Sequence, residues 1–141
     1  MTQKNELEEK ITQFFNAENN RDWKLYETFL SKDVEWISYG PPMRETVIGK
    51  GDYVKTMIRA YRNIHEKFKV LNLVSDMEKG IVIAKLELLS GRSVDIFEFE
   101  NGLIRREREY YDDVLWLESR RKPYKKIQES KANQIQTKFV E

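Results

Sequence analysis

The apolar residues Leu7, Ile11, Phe14 and Phe15 recur at spacings of four, three and one, which places them on one helical face. Asn19, Asn20 and Arg21 interrupt that pattern. Asp22 is placed to cap a short second helix carrying Trp23, Tyr26, Phe29 and Leu30. Ser31, Lys32 and Asp33 predict a break, and Val34 to Tyr39 then reads as a strand of β-branched and aromatic residues. Gly40, Pro41 and Pro42 end it, because two successive prolines remove two backbone donors. Gly49-Lys50-Gly51, with Asp52 as the expected cap, opens a third helix bearing Tyr53, Val54, Met57, Ile58 and Tyr61. The glycine and lysine spacing there is not that of a phosphate-binding loop.

Beyond His65 the period shortens to two. Strands are predicted over 68–75, 81–89, 92–100 and 103–112, separated by Glu78-Lys79-Gly80, Ser90-Gly91 and Asn101-Gly102. Asn-Gly is a strong two-residue hairpin signal, so these four strands should form an antiparallel meander. Helices first and strands last define an α+β class, with helices covering one face of a curved sheet. Val114 to Leu117 is apolar and Pro123 follows, which leaves open a further helix or an arm on a partner subunit.

Composition narrows the chemistry. The 141 residues predict one domain, and the absence of cysteine excludes disulfides, thiolate metal sites and a cysteine nucleophile. The single histidine, His65, excludes a multi-histidine metal site; it reads as a surface residue at an element boundary or as a proton shuttle at a pocket rim. Asp112 and Asp113 are adjacent on a strand and point oppositely, so no metal and no cofactor is expected. No apolar run is long enough to span a bilayer and the start of the chain is polar, so a soluble cytoplasmic protein without membrane contact is expected. Charge is balanced, with 25 Lys and Arg against 24 Asp and Glu, which disfavours a nucleic-acid binder. The balance is uneven: Leu117 to Glu141 holds seven basic and three acidic residues. That stretch reads as a basic extension after a domain spanning 1–116, either solvated or contacting an acidic partner.

Three segments carry a resemblance. They are Asp33-Val34-Glu35-Trp36-Ile37-Ser38, Val47-Ile48-Gly49-Lys50-Gly51, and Phe97 to Ile104 continuing to Arg108-Glu109-Tyr110-Tyr111-Asp112. In this order they resemble the SnoaL-like branch of the NTF2-like superfamily, which includes ketosteroid isomerases, limonene-epoxide hydrolases and polyketide cyclases. The resemblance implies a cone: three N-terminal helices on a strongly curved, mostly antiparallel sheet, with a pocket at the open end. It also implies that Asp95, Phe97, Glu109 and Tyr111 point into that cone. Strand alternation alone leaves the face open, because both faces of the last two strands mix charge and aromatics.

Carried over residue by residue, the steroid-isomerase site is incomplete. Asp95 matches the place of its protonated Asp, but Ser38 stands where the general base would be and Phe14 where the oxyanion-hole Tyr would be. A serine hydroxyl without a base cannot abstract a carbon-bound proton at neutral pH. Glu109 matches one Asp of the epoxide hydrolases. Their Arg-x-Asp pair has only a displaced echo in Lys85 and Glu87.

Asp95 and Glu109 are therefore the candidate catalytic acid and base, with Trp36, Ser38, Tyr39, Phe97 and Tyr111 as candidate pocket lining. The alternative is that either carboxylate points outward or pairs with Arg92, Arg105, Arg106 or Arg108, and that the aromatics are plain core. The reading that follows is a pocket for a small, mostly apolar or polyketide-like molecule, with cofactor-free acid/base chemistry of isomerase, cyclase or hydrolase type. The other reading is a non-catalytic dimeric ligand-binding or protein-interaction module. A homodimer through the outer sheet face is expected in both.

Overall fold

Helix α1 (Glu6–Asn19) forms where the four-three-one apolar spacing predicts it. Its buried face is Leu7, Ile11, Phe14, Phe15, Ala17 and Glu18, and the Asn5 side chain caps it by accepting from the Glu8 N–H at 2.9 Å. The computed structural model describes residues 5–39, 44–88 and 91–113. The apolar and basic stretch from Val114 onward, and with it the expected C-terminal extension, lies outside the described residues. Helix α2 (Trp23–Glu27) is capped by Asp22, as predicted. Helix α3 (Lys50–Ala60) is not capped by Asp52: the capping position is Gly49 at φ 98°, a conformation that a side chain would strain. Asp52 sits in the first turn, where its charge complements the helix N-terminus.

The strands are β1 (Leu30–Ser38), β2 (Glu45–Ile48), β3 (Lys69–Asp76), β4 (Ile81–Glu87), β5 (Gly91–Glu100) and β6 (Leu103–Asp113). They form one mixed sheet in the order β2-β1-β6-β5-β4-β3. β3 to β6 are the predicted antiparallel meander, and β1 joins it parallel to β6. The β5–β6 turn is Asn101-Gly102, with φ 54° and 79°, the paired positive angles of a tight two-residue hairpin. Two features depart from the sequence pattern. β1 begins at Leu30 and runs through Ser31-Lys32-Asp33, because Leu30 pairs with Ile104 and an irregularity before Glu35 absorbs the polar residues. The short β2 edge strand has too little length to register as a pattern and exists by pairing with β1.

A third departure matters most. On β6, strict alternation would turn Leu103, Arg105, Glu107, Glu109 and Tyr111 to one face. Glu98 pairs with Arg106, yet Phe99 pairs with Ile104, so Arg105 is an extra residue in a β-bulge. The bulge brings Ile104 inward in place of Leu103 and leaves Glu107 inward as well. Arg105, Arg106 and Arg108 are all delivered to the other face. There Glu98 accepts from Arg105 and Arg106 at 3.0 Å each and from Arg108, while Arg106 also donates to Glu35 at 2.7 Å.

Helix α1 packs on β3 and β4, α3 on β1 and β2, and α2 bridges the other two helices. Between helices and sheet the core is aromatic. Phe14 stacks on Tyr26 with centroids 4.1 Å apart, and Phe97 meets Phe14 and Phe15 at 5.8 and 5.6 Å. Phe97 is fully buried, so it serves the core rather than a pocket wall. Phe97→Ala is expected to destabilise the protein by about 3–5 kcal/mol in urea unfolding. A loss below about 1 kcal/mol would contradict its placement at the centre of the core.

Candidate functional site

The inner face of β5 and β6 is where the sequence pattern becomes chemistry. Ser93 pairs with Tyr111, Asp95 with Glu109 and Phe97 with Glu107, so a ladder of polar side chains faces the helices. Below it lies the aromatic core. Beside it lies a cavity of about 170 Å³. Asp95, Glu107 and Glu109 project into the cavity from the sheet, and Glu18 from α1. Phe15, Met57, Phe68, Leu86 and Leu88 make an apolar wall. Among the described residues, no Lys, Arg or His lines this space.

Glu109, Glu107 and Glu18 are each met by a hydroxyl or indole donor. Trp36 Nε1 and the Tyr111 hydroxyl both donate to Glu109 Oε1 at 3.0 Å. The Tyr53 hydroxyl donates to Glu107. The Tyr26 hydroxyl donates to Glu18 Oε1 at 2.8 Å, and the Tyr61 hydroxyl to Glu18 Oε2. One carboxyl oxygen each from Asp95, Glu107 and Glu109 lie within 4.8 Å of one another. Three oxyanions at that distance in a water-poor space repel strongly, and burial alone disfavours each charge.

Both effects act in one direction. Burial pushes the Asp95 carboxyl well above the usual carboxylate range, and the Glu107 charge pushes it further. Burial, then the Glu109 charge, does the same to Glu107, against hydrogen bonds from Tyr53 and Asp95. Glu109 is raised by burial and then by Asp95, and Glu18 chiefly by burial. The tyrosines Tyr26, Tyr53, Tyr61 and Tyr111 are raised too, first by burial and next by these neighbouring carboxylates. They remain hydroxyl donors. The cavity therefore holds a set of carboxyls that share protons and can both donate and accept.

Of the residues expected from sequence, Asp95, Glu109, Trp36 and Tyr111 line the cavity, whereas Ser38, Tyr39 and Phe97 do not. Ser38 interacts with the Tyr111 hydroxyl without forming part of the lining. Tyr39 stacks on Tyr110 at 4.5 Å on the outer side of the sheet, since it follows Ser38 by one residue and alternation turns it away. Phe97 faces the helices but is consumed by packing against Phe14 and Phe15. The arginines proposed as partners of Asp95 and Glu109 are engaged elsewhere: Arg92 lies 3.9 Å from Glu87, and the other three bind Glu98. Sequence reasoning missed Glu18, Glu107, Tyr26, Tyr53 and Tyr61. Glu107 was legible as the residue two before Glu109, and Glu18 as the continuation of the Ile11 and Phe14 helical face.

These raised carboxyls bind protons more tightly in the folded protein than in the unfolded chain. Their contribution to stability is complete below the ordinary carboxylate range, near pH 4, and is lost as pH rises through the raised folded values. Glu107→Gln keeps an acceptor for Tyr53 and removes one ionisation. Its melting temperature relative to the natural protein is expected to climb by about 3 °C or more between pH 5 and pH 8. A difference that stays flat across that interval would show that Glu107 carries no such penalty.

No protein-family model matches the sequence. No curated protein matches it either. Solved structures do. A protein proposed to be a ketosteroid isomerase, from Kribbella flavida, is 21% identical with a TM-score of 0.56, covering 74% of this chain and 76% of its own. A protein of unknown function with a cystatin-like fold, from Methylobium petroleophilum, is 17% identical with a TM-score of 0.65, covering 76% of both chains. An NTF2-like protein of unknown function from Burkholderia pseudomallei is 17% identical with a TM-score of 0.64, covering 82% of this chain and 97% of its own. At such identities the likeness is one of architecture. Three helices on a six-stranded mixed sheet, matched along most of the described length by these structures, give this chain the NTF2-like, cystatin-like cone fold.

Proposed function

We propose that this protein binds a small organic molecule in the carboxyl-lined cavity and transfers protons to and from it without a cofactor. The observation that carries this reading is the placement of Asp95, Glu107 and Glu109 with carboxyl oxygens within 4.8 Å of one another, beside an apolar wall. Buried carboxyls with raised proton affinity are suited to general acid and base work. Asp95 and Glu109, directly opposed across β5 and β6, are the acid and base. Glu107 completes the proton-sharing set. Tyr111 and Trp36 hold Glu109 in place, and Ser38 supports Tyr111.

Size limits the substrate. A dry engineered cavity of about 150 Å³ accommodates benzene, so about 170 Å³ suits a molecule of one ring. A four-ring steroid would have to extend outside that volume. The steroid-isomerase arrangement is also incomplete, with Ser38 and Phe14 in two of its three places. The test is a panel of one-ring enones, ketones and epoxides, each with and without an amino group, followed by NMR in deuterated buffer for isomerisation, opening or exchange of carbon-bound hydrogen. Turnover is expected to fall by at least about 100-fold in Asp95→Asn and in Glu109→Gln. Turnover equal in both variants would remove them from the acid/base roles.

A second reading concerns assembly and has its own observation. On the outer face Val74 pairs with Ile83 and Ile83 with Ile96, and in the next row Val94 pairs with Tyr110. Val74, Ile83, Val94 and Tyr110 are all exposed, an apolar patch across four strands with Lys85 and Arg108 in the same rows. We assign this face to a homodimer. Light scattering on the full chain is expected to give twice the monomer mass, and Val94→Lys to shift it to the monomer. A monomeric natural protein at about 50 μM would exclude the dimer as a stable state.

A further inference from the structure

Apart from protons on the carboxyls themselves, the cavity has more hydrogen-bond acceptors than donors. Asp95, Glu107 and Glu109 bring six carboxyl oxygens; Trp36, Tyr53 and Tyr111 are committed to Glu107 and Glu109, and the Ser93 hydroxyl beside Asp95 is one further donor. Asp95 is 2% exposed, yet its Oδ1 has no hydrogen-bond partner among the described residues, and neither does Ser93 Oγ beside it. A buried polar oxygen left unmatched costs about 1–3 kcal/mol. Asp95 lines the cavity, so a guest with donors could satisfy it.

Geometry sharpens the kind of guest. A tetrahedral ammonium nitrogen donating to three oxygens at about 2.8 Å each holds them about 4.6 Å apart. One oxygen each of Asp95, Glu107 and Glu109 lies within 4.8 Å of the others, a spacing that admits such a nitrogen. An ammonium group has three donors and no acceptor, which is the complement of this triangle. The rest of the space is apolar and aromatic. Phe15, Met57, Phe68, Leu86 and Leu88 offer only carbon and sulfur, while Trp36 and Tyr53, with rings 5.2 Å apart, add π-faces near the carboxyls. A divalent ion could take the same carboxylates with water as its other ligands, but it would leave the apolar wall uncontacted.

We propose that the cavity receives a small organic ammonium ion of about one ring, with its charged nitrogen held by Asp95, Glu107 and Glu109 and its apolar body against the Phe15–Phe68–Leu86 wall. This rests on the reading of the cavity as a ligand site and names the ligand's chemical class.

Titration calorimetry on the full chain separates the possibilities with matched probes: benzylamine, cyclohexylamine, benzyl alcohol, toluene, and magnesium or calcium chloride. Benzylamine and cyclohexylamine are expected to bind at least about tenfold more tightly than benzyl alcohol or toluene. Asp95→Asn is expected to weaken the amines by at least about tenfold and to leave toluene within about twofold. If Asp95→Asn does not fold, Glu109→Gln, at a position that keeps some solvent exposure, should show the same selective loss. Binding of alcohol or toluene as tight as that of the amines would overturn the ammonium proposal and leave the ligand-site reading intact. No binding by any organic probe would overturn both. Binding of the divalent ions without the amines would make the triangle a metal site and reject the proposal.

Discussion

Four carboxyl groups share one cavity without a basic side chain among the described residues that line it. Removing a carboxylate from water is costly, and placing several together multiplies the cost. The protein answers in two ways. It supplies neutral donors, the hydroxyls of Tyr26, Tyr53, Tyr61 and Tyr111 and the indole of Trp36, one or two for each of Glu18, Glu107 and Glu109. It also raises the proton affinity of the carboxyls, through burial and through their mutual repulsion. Asp95 is the member least satisfied by the protein itself. That shortfall marks the place where a ligand has the most to contribute.

The fold earns this arrangement through a single extra residue. Without the bulge at Arg105, alternation would either turn Ile104 out of the core or turn Glu107 and Glu109 out of the cavity. With it, the sheet sorts its charges by face. The arginines gather on the outer side around Glu98 and Glu35, and the acids gather on the inner side. A strand reading Arg-Arg-Glu-Arg-Glu would look like a solvated edge by composition. In place, it is the boundary between an ion-pair network and an acidic cavity.

Much of the fold was legible in the sequence because its signals are local. The helical spacing of Leu7 to Phe15, the Asp22 cap and the Asn101-Gly102 turn each depend on a few neighbouring residues. β2 and the start of β1 were not legible, because they exist through pairing with distant strands that overrides polar local sequence. The site was half legible. Asp95, Glu109, Trp36 and Tyr111 follow from alternation once the face is chosen. Tyr39 was misplaced by one residue of register, and Phe97 by the difference between facing inward and lining a space. Tyr26, Tyr53 and Tyr61 come from two further helical segments whose convergence with Glu18 only the tertiary structure specifies.

The cone fold by itself is shared by proteins of many purposes, so the meaning of this chain lies in its cavity. The central claim is that Asp95, Glu107 and Glu109 hold protons together inside the folded protein. Carbon-13 NMR of the side-chain carboxyls, titrated from pH 3 to pH 9, measures this directly. These three, with assignments from Asn and Gln variants, are predicted to titrate above the ordinary carboxylate range and in coupled steps. Independent titration of all three near pH 4 would contradict it.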